Sequence, residues 1–256
     1  MKLYFDDSGS YSVTLPAPHV MLGVLIPDTR EADFLAFHSE FVTNLDASEF
    51  QDGEPKGSKL TDKSRTKLFK YLADNSWIRI AVSVSDSEFN NQQQIQGYRA
   101  EQIKLYEADF NNGLANHAPE DVVKLQLDLL NATKAGISDV QFVKGLLLLH
   151  NLYALLHNSI QVYQGAEYDT CWFTFEIVFD RQDKNVITPM EKWINRGFMH
   201  FIQVHSEQFI IPDPWVERKH PFIKTFQDGN NNRLVLNKIL KDGFKFEDSK
   251  AVPGLQ

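Results

Sequence analysis

Apolar residues recur along this chain in two rhythms, one of strands and one of helices. Leu3-Tyr4-Phe5, His19-Val20-Met21-Leu22-Gly23-Val24-Leu25-Ile26, Trp77 to Val84 and Cys171 to Asp180 are short runs rich in β-branched and aromatic residues, bounded by Asp, Pro, Ser or Gly. These predict strands. The second is almost continuously apolar, which predicts a strand covered on both faces. Between them, Thr29 to Leu45 carries Phe34, Leu35, Phe37, His38 and Phe41 at three and four spacing behind an acidic first turn, which predicts a helix. Residues 46–60 are polar, with Gly53, Pro55 and Gly57, and predict a long loop. Residues 61–75 predict a basic amphipathic helix, with Leu60, Leu68, Tyr71 and Leu72 on one side.

From Asp86 to Gln164 the character changes to Gln, Asn, Leu and Glu, and strand signals fade. Helices are predicted over Tyr98–Phe110, Pro119–Asn131 and Ser138–Tyr163, with Asn111-Asn112-Gly113 and Ala135-Gly136 as turns. The third has Val143, Leu146, Leu147, His150, Tyr153, Ala154 and His157 on one broad face, so both histidines are expected in the core rather than on a metal. No chemistry is assigned to this block. Thr188-Pro189-Met190-Glu191 is a capping box that starts a further helix through Trp193, Ile194, Phe198 and Phe201. Its His200 and His205 are five apart, which does not match a zinc helix. A short helix over Asn231–Lys241 and a strand over Phe244–Ser249 complete the pattern.

Composition narrows the class. The chain has 256 residues and is 43% hydrophobic, enough for one globular domain with an elaboration or for two small lobes. Its net charge of -8 supplies no global basic field for non-specific nucleic-acid binding. Cys171 is the sole cysteine, set beside Trp172 and Phe173, and is expected as a buried thiol in a reducing cytoplasm. No signal peptide or membrane span is read in the sequence.

Two predicted strands end in acids, and these are the candidate chemistry. Alternation puts Tyr4 and Asp6 on one face of the first strand and Phe5 and Asp7 on the other, so Asp6 alone continues the face that Tyr4 starts. The strand over 171–180 puts Phe173, Phe175, Ile177 and Phe179 on one face, and Asp180 closes the other. In a largely parallel sheet, sites gather at the carboxyl ends of strands, where Asp6 and Asp180 can share a divalent ion. The competing reading is that all three acids are turn residues.

Four segments in order carry a resemblance: Tyr4-Phe5-Asp6-Asp7-Ser8-Gly9, Glu54-Pro55-Lys56-Gly57-Ser58, Ile177-Val178-Phe179-Asp180-Arg181, and Phe246-Glu247-Asp248-Ser249 with Gly254-Leu255-Gln256. Together they resemble the bacterial and phage family labelled "domain of unknown function 3800". The resemblance implies one ribonuclease H-like α/β domain over 1–256, a five-stranded mixed sheet flanked by helices, with a helical insertion at about 86–165. It departs at Asp7, where the family usually has Glu. A final helix opening with Ala-Asp is expected beyond Gln256.

On that resemblance the chain is a metal-dependent nuclease or phosphodiester hydrolase using Mg²⁺ or Mn²⁺. Two such ions about 3.5 to 4 Å apart stabilise both attacking and leaving oxygens in such a reaction. Asp6 would bridge them and Asp180 would hold one. Glu54 or Asp7 would add a ligand or orient water, and Lys56 would meet a phosphate of the nucleic-acid substrate. The alternative is an inert scaffold whose helical insertion binds a protein partner.

Overall fold

The computed structural model describes residues 1–9, 18–85, 91–172, 175–180, 186–195, 213–217 and 244–247, with positions 211, 219, 220, 223 and 252. Described strands are β1 (Lys2–Ser8), β2 (His19–Ile26), β3 (Phe50–Gln51), β4 (Glu54–Pro55), β5 (Arg79–Ser85), β6 (Glu176–Asp180) and β7 (Phe244–Glu247). Five of them form one mixed sheet in the order β5-β2-β1-β6-β7. β2 is antiparallel to both β1 and β5, while β1, β6 and β7 run parallel. The longer described helices are α1 (Glu31–Thr43), α2 (Asp62–Asp74), α3 (Gln92–Ala115), α4 (Glu120–Asn131) and α5 (Asp139–Val162), and a short one spans Asp213–Glu217. The chain is therefore α/β, as its alternating patterns predict. Among the described residues no helix is long and apolar enough to cross a membrane.

The two faces of the sheet differ sharply. Leu3, Phe5, Met21, Leu25, Ala81, Ile177 and Phe179 point to one side and are buried in the main core with α5, whose Leu148, Leu149, Leu152, Leu155 and Leu156 are sealed from solvent. Tyr4, Ile26 and Val178 point to the other side and form a smaller core with Val24, Phe34 of α1, Trp77 and Val252. The expectation that β2 is covered on both faces holds only in part, because Leu22 on this second side stays exposed.

Close approach of α5 to the sheet is set at one point. Asn151, fully buried, donates from Nδ2 to the carbonyls of Met21 (2.7 Å) and Ala81 (3.0 Å). Opposite it stands Gly23, where a Cβ would lie 2.4 Å from Asn151 Oδ1 and 2.6 Å from the Phe5 ring. A bare backbone at this position lets the helix settle onto β2.

Several elements depart from the sequence pattern. Asn111-Asn112-Gly113 does not end the helix expected over Tyr98–Phe110, since α3 starts at Gln92 and runs through that tripeptide to Ala115. Gly113 is buried there because α4 crosses it, and a Cβ would meet Gln126 Oε1 at 2.5 Å. The buried face of α5 is Phe142, Val143, Lys144, Gly145, Leu148, Leu149, Asn151, Leu152, Leu155, Leu156, Ser159 and Ile160; of the expected face Val143 is buried, and Leu146, Leu147, Tyr153 and Ala154 are partly buried against the core. His150 and His157 are exposed, not core histidines. Leucines on every side of α5 leave its orientation ambiguous in sequence; Gly145 and Asn151 decide it. Cys171 is a buried free thiol, as expected, but Cys171-Trp172 belong to a 3₁₀ stretch, Ala166–Trp172, and the strand begins only at Glu176. There Trp172 packs edge-on to Trp215, with ring centroids 4.9 Å apart, and its indole N–H donates to the Tyr163 carbonyl at 3.2 Å. The capping box at Thr188 and Glu191 forms as predicted, with both reciprocal bonds. The predicted helix over Asn231–Lys241, the histidines 200 and 205, and Arg181, Asp248 and Ser249 lie outside the described residues.

Gly145 tests how tightly α5 is packed. A Cβ there would stand 2.2 Å from the ring of Trp193, itself fully buried and bonded through Nε1 to Thr133 Oγ1 at 2.7 Å. Alanine favours a helix over glycine by up to about 1 kcal/mol, but overpacking a core costs about 1–3 kcal/mol. The overlap is large enough that packing wins: Gly145→Ala should lower stability in urea denaturation, by about 1–2 kcal/mol after the helix gain is subtracted.

Candidate functional site

Strand register brings the two candidate acids together. β1 and β6 pair in parallel with Tyr4 opposite Val178 and Phe5 opposite Phe179, so Asp6 and Asp180 are the next positions on neighbouring strands. Both continue the face begun by Tyr4 and Val178, Asp180 as the last residue of β6 and Asp6 two residues before the end of β1. Glu247 stands opposite Asp180 on β7, on the same face. A row of three acids, Asp6, Asp180 and Glu247, thus crosses three adjacent parallel strands near their carboxyl ends.

Their electrostatics are those of crowded like charges. The carboxyl of Asp6 is pushed up to about 6, first by lost hydration and then by the charges of Asp7 and Asp180. The Asp7 backbone N–H, which donates to Asp6 Oδ1 at 2.8 Å, and the ammonium of Lys144 act in the opposite sense. As a whole residue Asp6 is exposed. The shift therefore comes from atoms packed around the carboxyl and not from sealing it away from water.

Asp7 points through the sheet to the α5 side, where it forms an ion pair with Lys144 of α5. Lys144 is largely buried, and its Nζ lies 5.4 Å from the centroid of the Phe179 ring. Adjacent acids thus have different surroundings: Asp6 shares a face with Asp180, and Asp7 faces a lysine. Nothing in the sequence of the helical block marked Lys144, since the pair closes over 137 residues and only the fold joins its ends.

Residues 46–60 are ordered by turns rather than left as loop. Asp52 and Gly53 take positive φ (54° and 84°) and join β3 to β4, the turn that an Asp-Gly pair favours. That dipeptide is the signal from which the hairpin could have been read. On β4, Glu54 is buried and its Oε2 accepts from Lys56 Nζ at 3.0 Å. The Lys56 ammonium is held above its usual range first by Glu54, with Asp6 and Asp180 adding to the effect. The hairpin therefore presents Lys56 within electrostatic reach of both strand-end acids.

Glu49 anchors this hairpin, and sequence reasoning passed it over. Its side chain is inaccessible and accepts from the backbone N–H of Thr61 (2.7 Å) and of Asp46 (2.9 Å), while its carbonyl accepts from the Lys56 N–H (3.0 Å). These bonds tie the hairpin to Thr61, the N-cap of α2. The bond from Thr61, then that from Asp46, holds the Glu49 carboxyl down at about 2.

A hard divalent cation suits the oxygens of Asp6 and Asp180, and their mutual repulsion is what such an ion would relieve. Among the described residues, however, no three His, Cys, Asp or Glu side chains gather about one point. Comparison with protein-family models, with curated proteins and with solved structures finds no match to this chain.

Two outcomes follow from these contacts. Because Glu49 is charged in the folded chain down to about pH 2 against 4.5 ordinarily, its stabilisation is complete above pH 4.5 and fades as pH falls toward 2. Urea denaturation at a series of pH values should therefore show a shallower loss of stability across that window in Glu49→Gln, from a lower starting value. Asp7→Asn removes the carboxylate that pairs with Lys144 in the sheet–helix interface and should cost about 3 kcal/mol. In Asp7→Asn/Lys144→Met most of that cost should disappear, as read from the same denaturation curves.

Proposed function

We propose that this chain is a divalent-cation-dependent phosphodiester hydrolase acting on nucleic acid, a nuclease of ribonuclease H-like type. The observation that carries the reading is the register that makes Asp6 and Asp180 neighbours on one sheet face, near parallel strand ends, with like-charge crowding between them. The sheet supports it too: three antiparallel strands continued by two parallel ones, with helices on both sides, suit the architecture that the resemblance implies. The acids lie where an open α/β sheet gathers its ligands.

In this reading Asp6 and Asp180 hold Mg²⁺ or Mn²⁺, which when bound activates water and neutralises charge on the departing oxygen. Lys56 meets a phosphate oxygen as a point charge, and Glu54 holds that ammonium in place from beneath. Asp7 takes no ligand role; its charge is spent on Lys144. With a net charge of -8, attraction for a polyanion comes from Lys56 and the bound cation and not from the surface as a whole.

Calorimetric titration of the whole chain with Mn²⁺ tests this directly. The wild type should bind, and Asp6→Asn and Asp180→Asn should each lose affinity and cleavage of DNA or RNA by at least about a hundredfold, since even indirect partners of a metal are worth 10–100-fold. Asp6→Asn should stay folded, because a neutral group is favoured at that position. A folded Asp6→Asn protein that cleaves like the wild type would overturn the assignment. Wild-type chain that binds no Mn²⁺ would favour the inert scaffold.

A further inference from the structure

The two edges of the sheet are built differently. β7 is four residues long and carries Lys245 and Glu247, and Lys245 pairs with Glu176 of β6 at 2.9 Å. Charges and shortness of this kind block a further strand from adding. β5, at the opposite edge, is seven residues long with the sequence Arg-Ile-Ala-Val-Ser-Val-Ser, has no proline, and has a charge only at its first position. Among the described residues it pairs with β2 alone. Ile80, Val82 and Val84 project from its outer face and are 43%, 58% and 59% exposed. Leu22, opposite Val82 on β2, extends this apolar strip at 40% exposure.

An edge strand with neither charge nor proline along its middle suits the addition of another strand, and the side-chain pattern indicates which. β5 is self-complementary about Val82. Laid antiparallel against itself, it sets Val82 beside Val82, Ile80 beside Val84, Ala81 beside Ser83, and Arg79 beside Ser85. Every pair joins apolar to apolar or small to small, and the two Arg79 side chains end about six residues, or roughly 20 Å, apart. A parallel pairing would instead set Arg79 against Arg79.

We infer that a second copy of this chain docks on β5, making a symmetric dimer with one continuous ten-stranded sheet. The two-fold axis passes midway between the two copies of Val82, perpendicular to the sheet. Because Asp6, Leu22 and Val82 stand opposite one another across β1, β2 and β5, the two Asp6 carboxyls fall on a common line through that axis. They open on the same face, about five strand spacings or roughly 24 Å apart before twist, with Leu22 and Val82 of both copies between them.

The oligomeric state of the full chain tests this without regard to any activity. Sedimentation velocity over a concentration series should show a monomer–dimer equilibrium, and Val82→Lys should weaken it by at least about tenfold by opposing two ammonium groups at the axis. Val82 is exposed, so the lysine variant should keep its circular dichroism and melting temperature. Should it not, Val82→Cys gives an independent reading. Directly opposed residues lie about 4.5–5.5 Å apart at Cβ, close enough to oxidise to a disulfide with slight adjustment, and the native Cys171 is buried away from it. Val82→Cys should cross-link copies and Ile80→Cys should not, because two copies of residue 80 lie far from each other in this register. A wild-type chain that stays monomeric throughout, or a dimer that neither responds to Val82→Lys nor cross-links through Val82→Cys, would overturn the inference.

Discussion

Parallel pairing of β1 with β6, at the middle of the sheet, is the constraint on which the other features hang. These strands are some 170 residues apart in sequence, yet their register decides which acids meet. A slip of one residue would turn Asp180 to the α5 side and set it near Lys144 instead of Asp6. That register is specified by hydrophobic sorting: Phe5, Ile177 and Phe179 need the large core, and Tyr4 and Val178 need the small one. The charge cluster is thus aligned by apolar residues one and two positions before it.

The acids of this region divide labour. Asp7 is paired with a lysine and Glu49 is held charged by backbone N–H groups, and both fix structure. Around Asp6, lost hydration and the charges of Asp7 and Asp180 outweigh the Asp7 N–H and Lys144, so its carboxyl resists ionisation and is a cost to the fold. Local frustration of this sort is expected where a chain carries a ligand that offsets it. Between the two kinds of acid stands Glu54, buried like the structural ones yet engaged with Lys56, whose ammonium faces the strained pair.

Much of this was legible in the amino-acid order. The strand end at Asp180, the face shared by Tyr4 and Asp6, the extent of β2 and the capping box at Thr188 all follow from period-two alternation and local capping chemistry, whereas β1 runs two residues past Asp6 to Ser8. What was not legible depends on distant packing. A glycine at position 113 reads as a turn until α4 is laid across it. A leucine-rich α5 shows no preferred side until Gly145 meets Trp193 and Asn151 reaches the sheet. Trp172 has strand propensity, but its indole finds a better place against Trp215. Lys144 looked like any helical lysine because its partner lies on the first strand.

Gly23 has a reach beyond its own strand. The absent methyl group there lets Asn151 serve as a peg between two strand carbonyls, and the peg sets the height and rotation of α5. Lys144 sits seven residues earlier on that helix, two turns or about 10.5 Å away. Its distance from Asp7, and through the sheet from Asp6, is therefore governed by steric room at a site that carries no charge. The acidity at the strand ends is in that sense calibrated from the middle of the neighbouring strand.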